Sequence, residues 1–330
     1  MNRYKAKALA EGVICSALSV VLVLIGIFFP SVATLLTMLA GVPMMYLGMR
    51  RGIRILVASI LVSVLVVFLV TNHLVGSLLT AVMSFLPGMA MGYALRKRFT
   101  FSGIIFSGGG ILLFGFVFQL ALFNAMGDGQ GVANMVNQTL DGVRQTTAEV
   151  LAGMQGQIPD QGQDLQAILN QTLDMVRDTI FLYLPAFLIG AAVVMSYLLF
   201  MLGAFLLNRT RPVRILYQPF WAFCAPRSMC YLAGVLYLIA SFSSDSTVWT
   251  AALKNILVLL YGYFAVCGMS FIDYKLKKKI SSGYGRTAIY FAVFCVGYMF
   301  LGMLFQGLCI LGMIDGVFGF RIREESVRHE

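Results

Sequence analysis

The sequence predicts an all-α, polytopic integral membrane protein with about eight or nine transmembrane helices and a cytoplasmic N-terminus. Three observations predict it. Hydrophobic residues make up 59% of the 330 positions and charged residues only 12%, a balance outside the range of soluble domains. Apolar runs of about 20 residues, the length that a helix needs to cross a bilayer, recur along the chain. Basic residues gather at the start and between these runs, and short basic loops stay on the cytoplasmic side.

One long polar stretch, residues 127–178, interrupts the apolar runs and orients the prediction. It contains seven acidic and two basic residues, whereas the whole chain carries a formal charge of +10. We therefore expect the stretch to be extracytoplasmic. Its apolar residues recur at helical spacing on either side of Pro159, which predicts a helical hairpin whose second arm continues into the next span. A partly disordered loop is the alternative, because the stretch is rich in Gln, Gly and Asp.

A six-span membrane domain, residues 1–208, contains this hairpin as an insertion. Its spans are predicted at residues 10–29, 31–49, 53–71, 74–95, 104–124 and 179–207. The second and fourth spans share a pattern in which a proline is followed five residues later by a glycine and then by arginines, beginning at Pro43 and Pro87. This repetition suggests a duplicated hairpin, in which two proline-kinked helices face one another and free carbonyls line a cavity.

The rest of the chain is predicted to form a connector and a C-terminal membrane region. Residues 209–228 are basic and aromatic, which is typical of a cytoplasmic segment at the lipid headgroups; a dock for a partner protein is the alternative. Within residues 229–330, spans at 229–242 and 248–274 precede a lysine run. The last apolar stretch, 287–314, is either a single tilted span or a broken or re-entrant helix around residues 302–312, and the side of the C-terminus stays open.

Small residues in the first span form a candidate face for docking another helix, because small side chains let helices approach closely in lipid. This face consists of Ala6, Ala10, Gly12 and Ser16. An internal helix contact is the alternative interpretation of the same residues. Glu11 lies beside the basic start of the chain, and we expect it to pair with a nearby basic residue.

Uncharged polar residues near the predicted outer ends of the spans are candidates to line a cavity. They are Asn72, His73, Gln119 and Asn124. No carboxylate is expected at the middle of a span, since Asp245, Asp273 and Asp315 lie near span ends. Ion-coupled transport needs groups that change charge at membrane depth. The absence of carboxylates from the middle of the spans therefore disfavours a secondary transporter.

The sequence predicts no catalytic, cofactor or metal site. Neither a phosphate-binding loop nor a zinc-protease motif is present, and the two histidines are too few and too remote to serve a nucleophile. The six cysteines lack metal-binding spacing and are interpreted as packing residues. Nucleic acid is not an expected partner, because the basic residues are accounted for as membrane anchors. The lipid bilayer is the expected partner.

Short motifs distributed over nearly the whole chain resemble, in their order, those of the YybS-like family of bacterial membrane proteins. They are Pro43 with Gly48, Met49, Arg50, Arg51 and Gly52; Leu86, Pro87 and Gly88 with Gly92 and Arg96; Tyr261 and Gly262; and Gly312, Met313, Ile314 and Asp315 with Phe318, Gly319, Phe320 and Arg321. The resemblance implies a multi-pass protein of the bacterial plasma membrane. It supplies no biochemical activity.

The layout of residues 1–208 also resembles the substrate-binding subunits of energy-coupling factor transporters. That resemblance implies that Ala6, Ala10, Gly12 and Ser16 dock on a membrane coupling subunit driven by cytoplasmic ATPases. It also implies that an unnamed small molecule binds in a cavity open to the outside. The alternative function is a membrane scaffold or regulatory protein that acts through protein partners.

Overall fold

The computed structural model describes residues 3–126, 131–154, 162–209, 215, 219–243, 248–280, 285 and 301–321. The chain divides into two compact units, unit 1 (Met1–Ile215) and unit 2 (Leu216–Glu330). Within the described residues all regular structure is helical, which confirms the predicted fold class. Seven of these helices are long and apolar enough to cross a membrane, and two shorter apolar helices accompany them. The cytoplasmic position of the N-terminus stays a prediction.

The described part of unit 1 contains eight α-helices. They are α1 (Arg3–Phe28), α2 (Ala33–Arg50), α3 (Ile53–Thr71), α4 (Leu74–Thr80), α5 (Leu86–Arg96), α6 (Phe101–Met126), α7 (Gly131–Met154) and α8 (Gly162–Arg209). A π-helical turn, Ala81–Phe85, joins α4 to α5, so the two form one apolar span. We call the end of unit 1 that carries Arg51, Arg96 and Arg209 the basic end, and the opposite end, where α7 begins, the hairpin end.

The turn between α3 and α4 shows how local sequence ends a helix. Asn72 has the left-handed conformation, with φ 52°, and its N–H donates to the Phe68 carbonyl to close α3. Asparagine tolerates this conformation better than most residues. His73 then caps α4, because its Nδ1 accepts the Gly76 N–H at 2.9 Å.

The polar stretch supplies two helical arms. α7 is the first arm, and α8 runs without interruption for 48 residues from the second arm through the sixth span. Arg144 joins the arms, since its Nη2 lies 2.7 Å from Asp174 Oδ1. The predicted break at Pro159 lies outside the described residues.

The helices that carry Pro43 and Pro87, α2 and α5, face one another in direct backbone contact. A methyl group added at Gly88 would overlap the Gly41 carbonyl oxygen, and one at Gly92 would overlap that of Met45. Only glycine permits this approach. The expected facing pair is therefore present, and the cavity expected beside it stays a prediction, since the Gly41 and Met45 carbonyls are not the ones that Pro43 and Pro87 leave without a donor four residues on.

Unit 2 contains three described α-helices. They are α9 (Arg227–Phe242), α10 (Val248–Lys279) and α11 (Leu301–Phe318). Contacts between α10 and α11 advance in the same direction along both helices. The Cys309 thiol donates to the Tyr261 carbonyl at 3.1 Å, and Arg321 Nη1 donates to Ser270 Oγ at 2.9 Å. The two helices therefore run parallel, and α10 continues beyond the end of α11 to Lys279.

This arrangement corrects one sequence-based alternative for the last apolar stretch. α11 is continuous through Gly302, Gly307 and Gly312, so the described part shows no break there. Gly312 instead lets α11 touch α10, because a methyl group at this position would overlap the Phe264 carbonyl oxygen. Residues 286–300 lie outside the described residues. Arg321 lies near the end of α10 that carries the lysine run, which we call the lysine end of unit 2.

Candidate functional site

Packing along α2 differs sharply between its two halves. None of residues 33–39 is buried, whereas every residue from Ala40 to Met45 is, as are Leu47 and Gly48. The same change occurs in the neighbouring α6, where Gly115 is the last buried residue before the hairpin end. α2 is therefore enclosed toward the basic end and more accessible toward the hairpin end, where residues of other helices such as Val67 and Ser77 stay buried.

The four predicted cavity residues lie toward the hairpin end, but three of them have local roles. Asn72 and His73 are exposed in the α3–α4 turn, and His73 caps α4. Asn124 is half-buried and its Oδ1 accepts the Val132 N–H at 3.1 Å, which holds the start of α7. Gln119 is also half-buried. Among the described residues, no hydrogen bond joins the four to one another.

The predicted docking face on α1 is divided. Ala6 and Ala10 are exposed. Gly12 and Ser16 are buried against α3, where Ser16 Oγ donates to the Ser59 carbonyl at 3.1 Å and a methyl group at Gly12 would lie 2.9 Å from Ser59 Oγ. The internal-contact interpretation therefore applies to this second pair, and a docking role for the face stays a prediction.

An ion pair ties α1 to the turn after α2. Arg51 Nη2 lies 2.7 Å from Glu11 Oε2, and the Arg51 carbonyl accepts a hydrogen bond from Arg96 Nη1 at 2.7 Å. Glu11 thus has a basic partner, as expected, but that partner is 40 positions away in sequence. The contact links the candidate docking helix to the ends of α2 and α5.

Unit 2 contains a buried polar network that sequence reasoning missed. Asp315 is 1% exposed and Arg321 6%, and Arg321 Nε lies 2.9 Å from Asp315 Oδ2. The Nε group does not point along a hydrogen bond to that oxygen, so the contact is an ion pair. Asp315 Oδ1 has no hydrogen-bond partner among the described residues. From sequence, Asp315 is interpreted as a charge near a span end, and no sequence pattern indicates its burial with Arg321.

The network reaches into the connector. Arg321 Nη1 donates to the Trp221 carbonyl at 2.7 Å, and Nη2 donates to that of Cys267 at 3.2 Å. The Ser270 hydroxyl lies 2.7 and 2.8 Å from the carbonyls of Phe220 and Phe223. Three segments, namely the connector, α10 and the end of α11, are therefore held by one arginine and one serine.

Cys224, which lies outside the spans in the connector, borders this network. Its thiol donates to Asp315 Oδ2 at 3.5 Å. The pKa of the Cys224 thiol is raised to about 11, first by burial and then by the negative charge of Asp315, while the positive charge of Arg321 opposes both. Cys224 is therefore protonated at neutral pH and is a poor nucleophile there.

The described cysteines are free thiols, and four of the five are buried: Cys15, Cys230, Cys267 and Cys309. In the part of the chain that the structure describes, no group of three or more His, Cys, Asp or Glu side chains is placed to hold a metal ion. The predictions that the protein is not an enzyme and holds no cofactor stay predictions.

Comparison with known proteins places the chain in a family. Residues 17–316 match the model of a family described as predicted membrane protein, DUF2232. The chain belongs to the DUF2232 family. YybS of Bacillus subtilis (strain 168), described as an uncharacterized protein, is 26% identical over 326 residues, which cover 97% of this chain and 99% of YybS. The sequence-based resemblance to YybS-like proteins is thus confirmed. No solved structure matches this DUF2232 protein.

Proposed function

We propose that unit 1 is a solute-binding membrane subunit of an uptake system powered by separate subunits. The change of packing at Ala40 along α2 carries this proposal. A subunit that captures a solute from one side needs a closed end and an accessible end, and α2 borders both. The glycine contact between α2 and α5 closes the basic end. A bacterial plasma membrane location, with the hairpin end outside, belongs to the same proposal.

The residues at the accessible end indicate the kind of solute. Residues 33–39 of α2 contain no charged side chain, and Thr37 is half-buried with its hydroxyl donating to the Ala33 carbonyl at 2.9 Å. Sites for small molecules are mostly apolar with a few polar groups. A neutral, largely apolar solute fits these residues. Gln119 is the uncharged polar residue best suited to orient it, because it is half-buried and no local cap occupies it.

Native mass spectrometry of the membrane-extracted protein tests the proposal. We expect a bound small molecule, together with a membrane coupling subunit and ATPases. Thr37→Trp fills the accessible region and should abolish solute binding, whereas Leu35→Trp, at an exposed position about half a turn away, should not. Finding neither a small molecule nor any coupling subunit would contradict the proposal.

The docking step has its own test. The double variant Ala6→Leu with Ala10→Leu adds bulk to the exposed part of α1 and should release the coupling subunit while the solute stays bound. Ala58→Leu, at an exposed alanine of α3, is the matched control. Equal retention of the coupling subunit in both proteins would remove the docking role of α1.

A scaffold or regulatory protein is the second candidate, and the surface of the hairpin favours it. Apolar side chains on both arms are exposed, among them Met135 at 63%, Ile168 at 60% and Met175 at 58%. Large exposed apolar side chains outside a membrane span favour contact with a partner protein. Deleting residues 127–178 and replacing the aromatic residues of the connector should then change the phenotype. An unchanged phenotype would leave this candidate without support.

A further inference from the structure

The lysine end of unit 2 surrounds one guanidinium group with acceptors. Arg321 Nη1 donates to the Trp221 carbonyl and to Ser270 Oγ, Nη2 donates to the Cys267 carbonyl, and Nε lies 2.9 Å from Asp315 Oδ2. A guanidinium carries five N–H donors in one rigid plane, so each of its nitrogens can serve a different acceptor. Here both terminal nitrogens donate hydrogen bonds, and Nε makes an ion-pair contact without one.

Aromatic rings complete these surroundings. The guanidinium carbon of Arg321 lies 5.6 Å from the centre of the Phe271 ring and 5.7 Å from that of Tyr274. Planar cations are attracted to aromatic faces at such distances. A carboxylate, two carbonyls, a hydroxyl and two rings together suit a guanidinium better than an ammonium group, which lacks the planar fork.

The acceptors and the arginine come from different places along the chain. The connector, α10 and α11 supply the acceptors, whereas Arg321 lies just beyond the end of α11. Gly319 has φ 60°, a left-handed conformation that glycine adopts without strain, and it redirects the chain so that Arg321 returns into unit 2. The arginine is thus delivered to a site that other segments build.

Arg321 leaves one acceptor of the network without a hydrogen bond. Asp315 Oδ1 is buried and has no hydrogen-bond partner among the described residues. A buried polar network that is only partly satisfied is less stable than a complete one. Arg321 therefore does not saturate the acceptors of Asp315.

We propose that the connector, α10 and α11 form a guanidinium-binding site, which Arg321 fills as an intramolecular ligand, so that residues 315–321 act as a releasable latch on the connector. The site lies in unit 2 and goes beyond the solute binding proposed for unit 1. Release of Arg321 would free the Trp221 carbonyl and loosen the connector. A partner protein that presents an arginine side chain offers the same chemistry and would compete for the site.

Fluorescence of Trp221 provides the test. The chain contains two tryptophans, so Trp249→Phe leaves Trp221 as the single reporter in the full-length, detergent-purified protein. Arg321→Ala in this background should raise the acrylamide quenching constant of Trp221 about twofold, because the connector opens locally. N-ethylguanidinium at millimolar concentration should restore the original quenching, whereas ethylammonium, which has the same charge without the fork, should not.

Other outcomes would overturn the proposal. Rescue by both cations would show a site that recognises charge alone, and rescue by neither would show that no guanidinium site exists. If Arg321→Ala does not fold, as judged by helical content and elution volume, Arg321→Lys replaces it. The lysine variant should show raised quenching of Trp221 that N-ethylguanidinium reverses. A quenching constant equal to that of the protein with Arg321 would contradict the proposal.

Discussion

The α2–α5 contact of unit 1 and the α10–α11 contact of unit 2 use the same device in different surroundings. In both, glycines bring the backbones of two parallel helices together: Gly88 meets the Gly41 carbonyl, and Gly312 meets that of Phe264. The first contact is surrounded by buried apolar side chains such as Met44 and Met91. The second leads to the ion pair of Asp315 with Arg321. Close approach is therefore set by glycine, whereas the polarity around each contact is set by the neighbouring side chains.

The largest expected effect tests whether the two contacts are equivalent. Gly88→Ala and Gly312→Ala each place a methyl group onto a carbonyl oxygen, so we expect each to lower the free energy of unfolding by about 3 kcal/mol or more. Gly110→Ala and Gly307→Ala are matched controls, because their added methyl groups meet no atom within 4 Å, and they should be neutral or stabilising by about 0.5–1 kcal/mol. Thermal unfolding in detergent measures all four. A loss in one unit only would break the comparison.

Removal of one acidic side chain should lower the free energy of unfolding by different amounts in the two units. Asp315→Ala leaves Arg321 buried without its counter-ion, so we expect a loss of about 3–5 kcal/mol. Glu11→Ala breaks a pair whose side chains are 18% and 16% exposed, and it should cost about 1 kcal/mol. The exposed Asp141→Ala is the control. Equal losses from the first two substitutions, measured by unfolding, would show that burial does not decide the difference.

Removal of a buried serine hydroxyl should lower the free energy of unfolding by less than removal of Asp315, and again by more in unit 2 than in unit 1. Ser19 Oγ makes one hydrogen bond, to the Ala40 carbonyl at 2.8 Å, so Ser19→Ala should cost about 1 kcal/mol. Ser270→Ala should cost about 2 kcal/mol, because Arg321 and two connector carbonyls lose their common partner. Exposed Ser102→Ala serves as the control in the same unfolding measurement. A larger loss for Ser19 than for Ser270 would contradict this ranking.

The smallest effect concerns the pH dependence of one thiol. Since the pKa of Cys224 is raised to about 11, its thiolate fraction should increase about tenfold per pH unit up to that value. Alkylation by iodoacetamide, followed by mass spectrometry of the peptide that contains Cys224, should therefore be slow near neutral pH and keep accelerating above about pH 9. A rate that levels off near the ordinary cysteine pKa would show that the connector does not bury this thiol.

Sequence alone predicted the elements that depend on local pattern. The third span was expected at residues 53–71, and α3 has these bounds. The repeated Pro43 and Pro87 pattern indicated that α2 and α5 face one another, because both halves of the contact carry the same spacing of proline and glycine. Periodicity also indicated that the polar stretch is helical and that its second arm enters a span.

The parts that sequence did not predict depend on distant neighbours. Gly268 and Gly312 lie in unrelated patterns, so nothing in the sequence paired them. The charges of Asp315 and Arg321 are visible, but their burial results from the parallel path of α10 and α11 and from the left-handed turn at Gly319. For the same reason, the sequence does not show that Gly12 and Ser16 are buried against α3 while Ala6 and Ala10 are exposed.

The uninterrupted course of α8 has a mechanical consequence. At a rise of about 1.5 Å per residue, its 48 residues span about 72 Å, more than twice the hydrocarbon thickness of a bilayer. Such a rod acts as a lever, and Pro185, inside it, provides a joint. A displacement of the projecting arm can therefore reach the Arg209 end of α8 only through the bend that Pro185 permits.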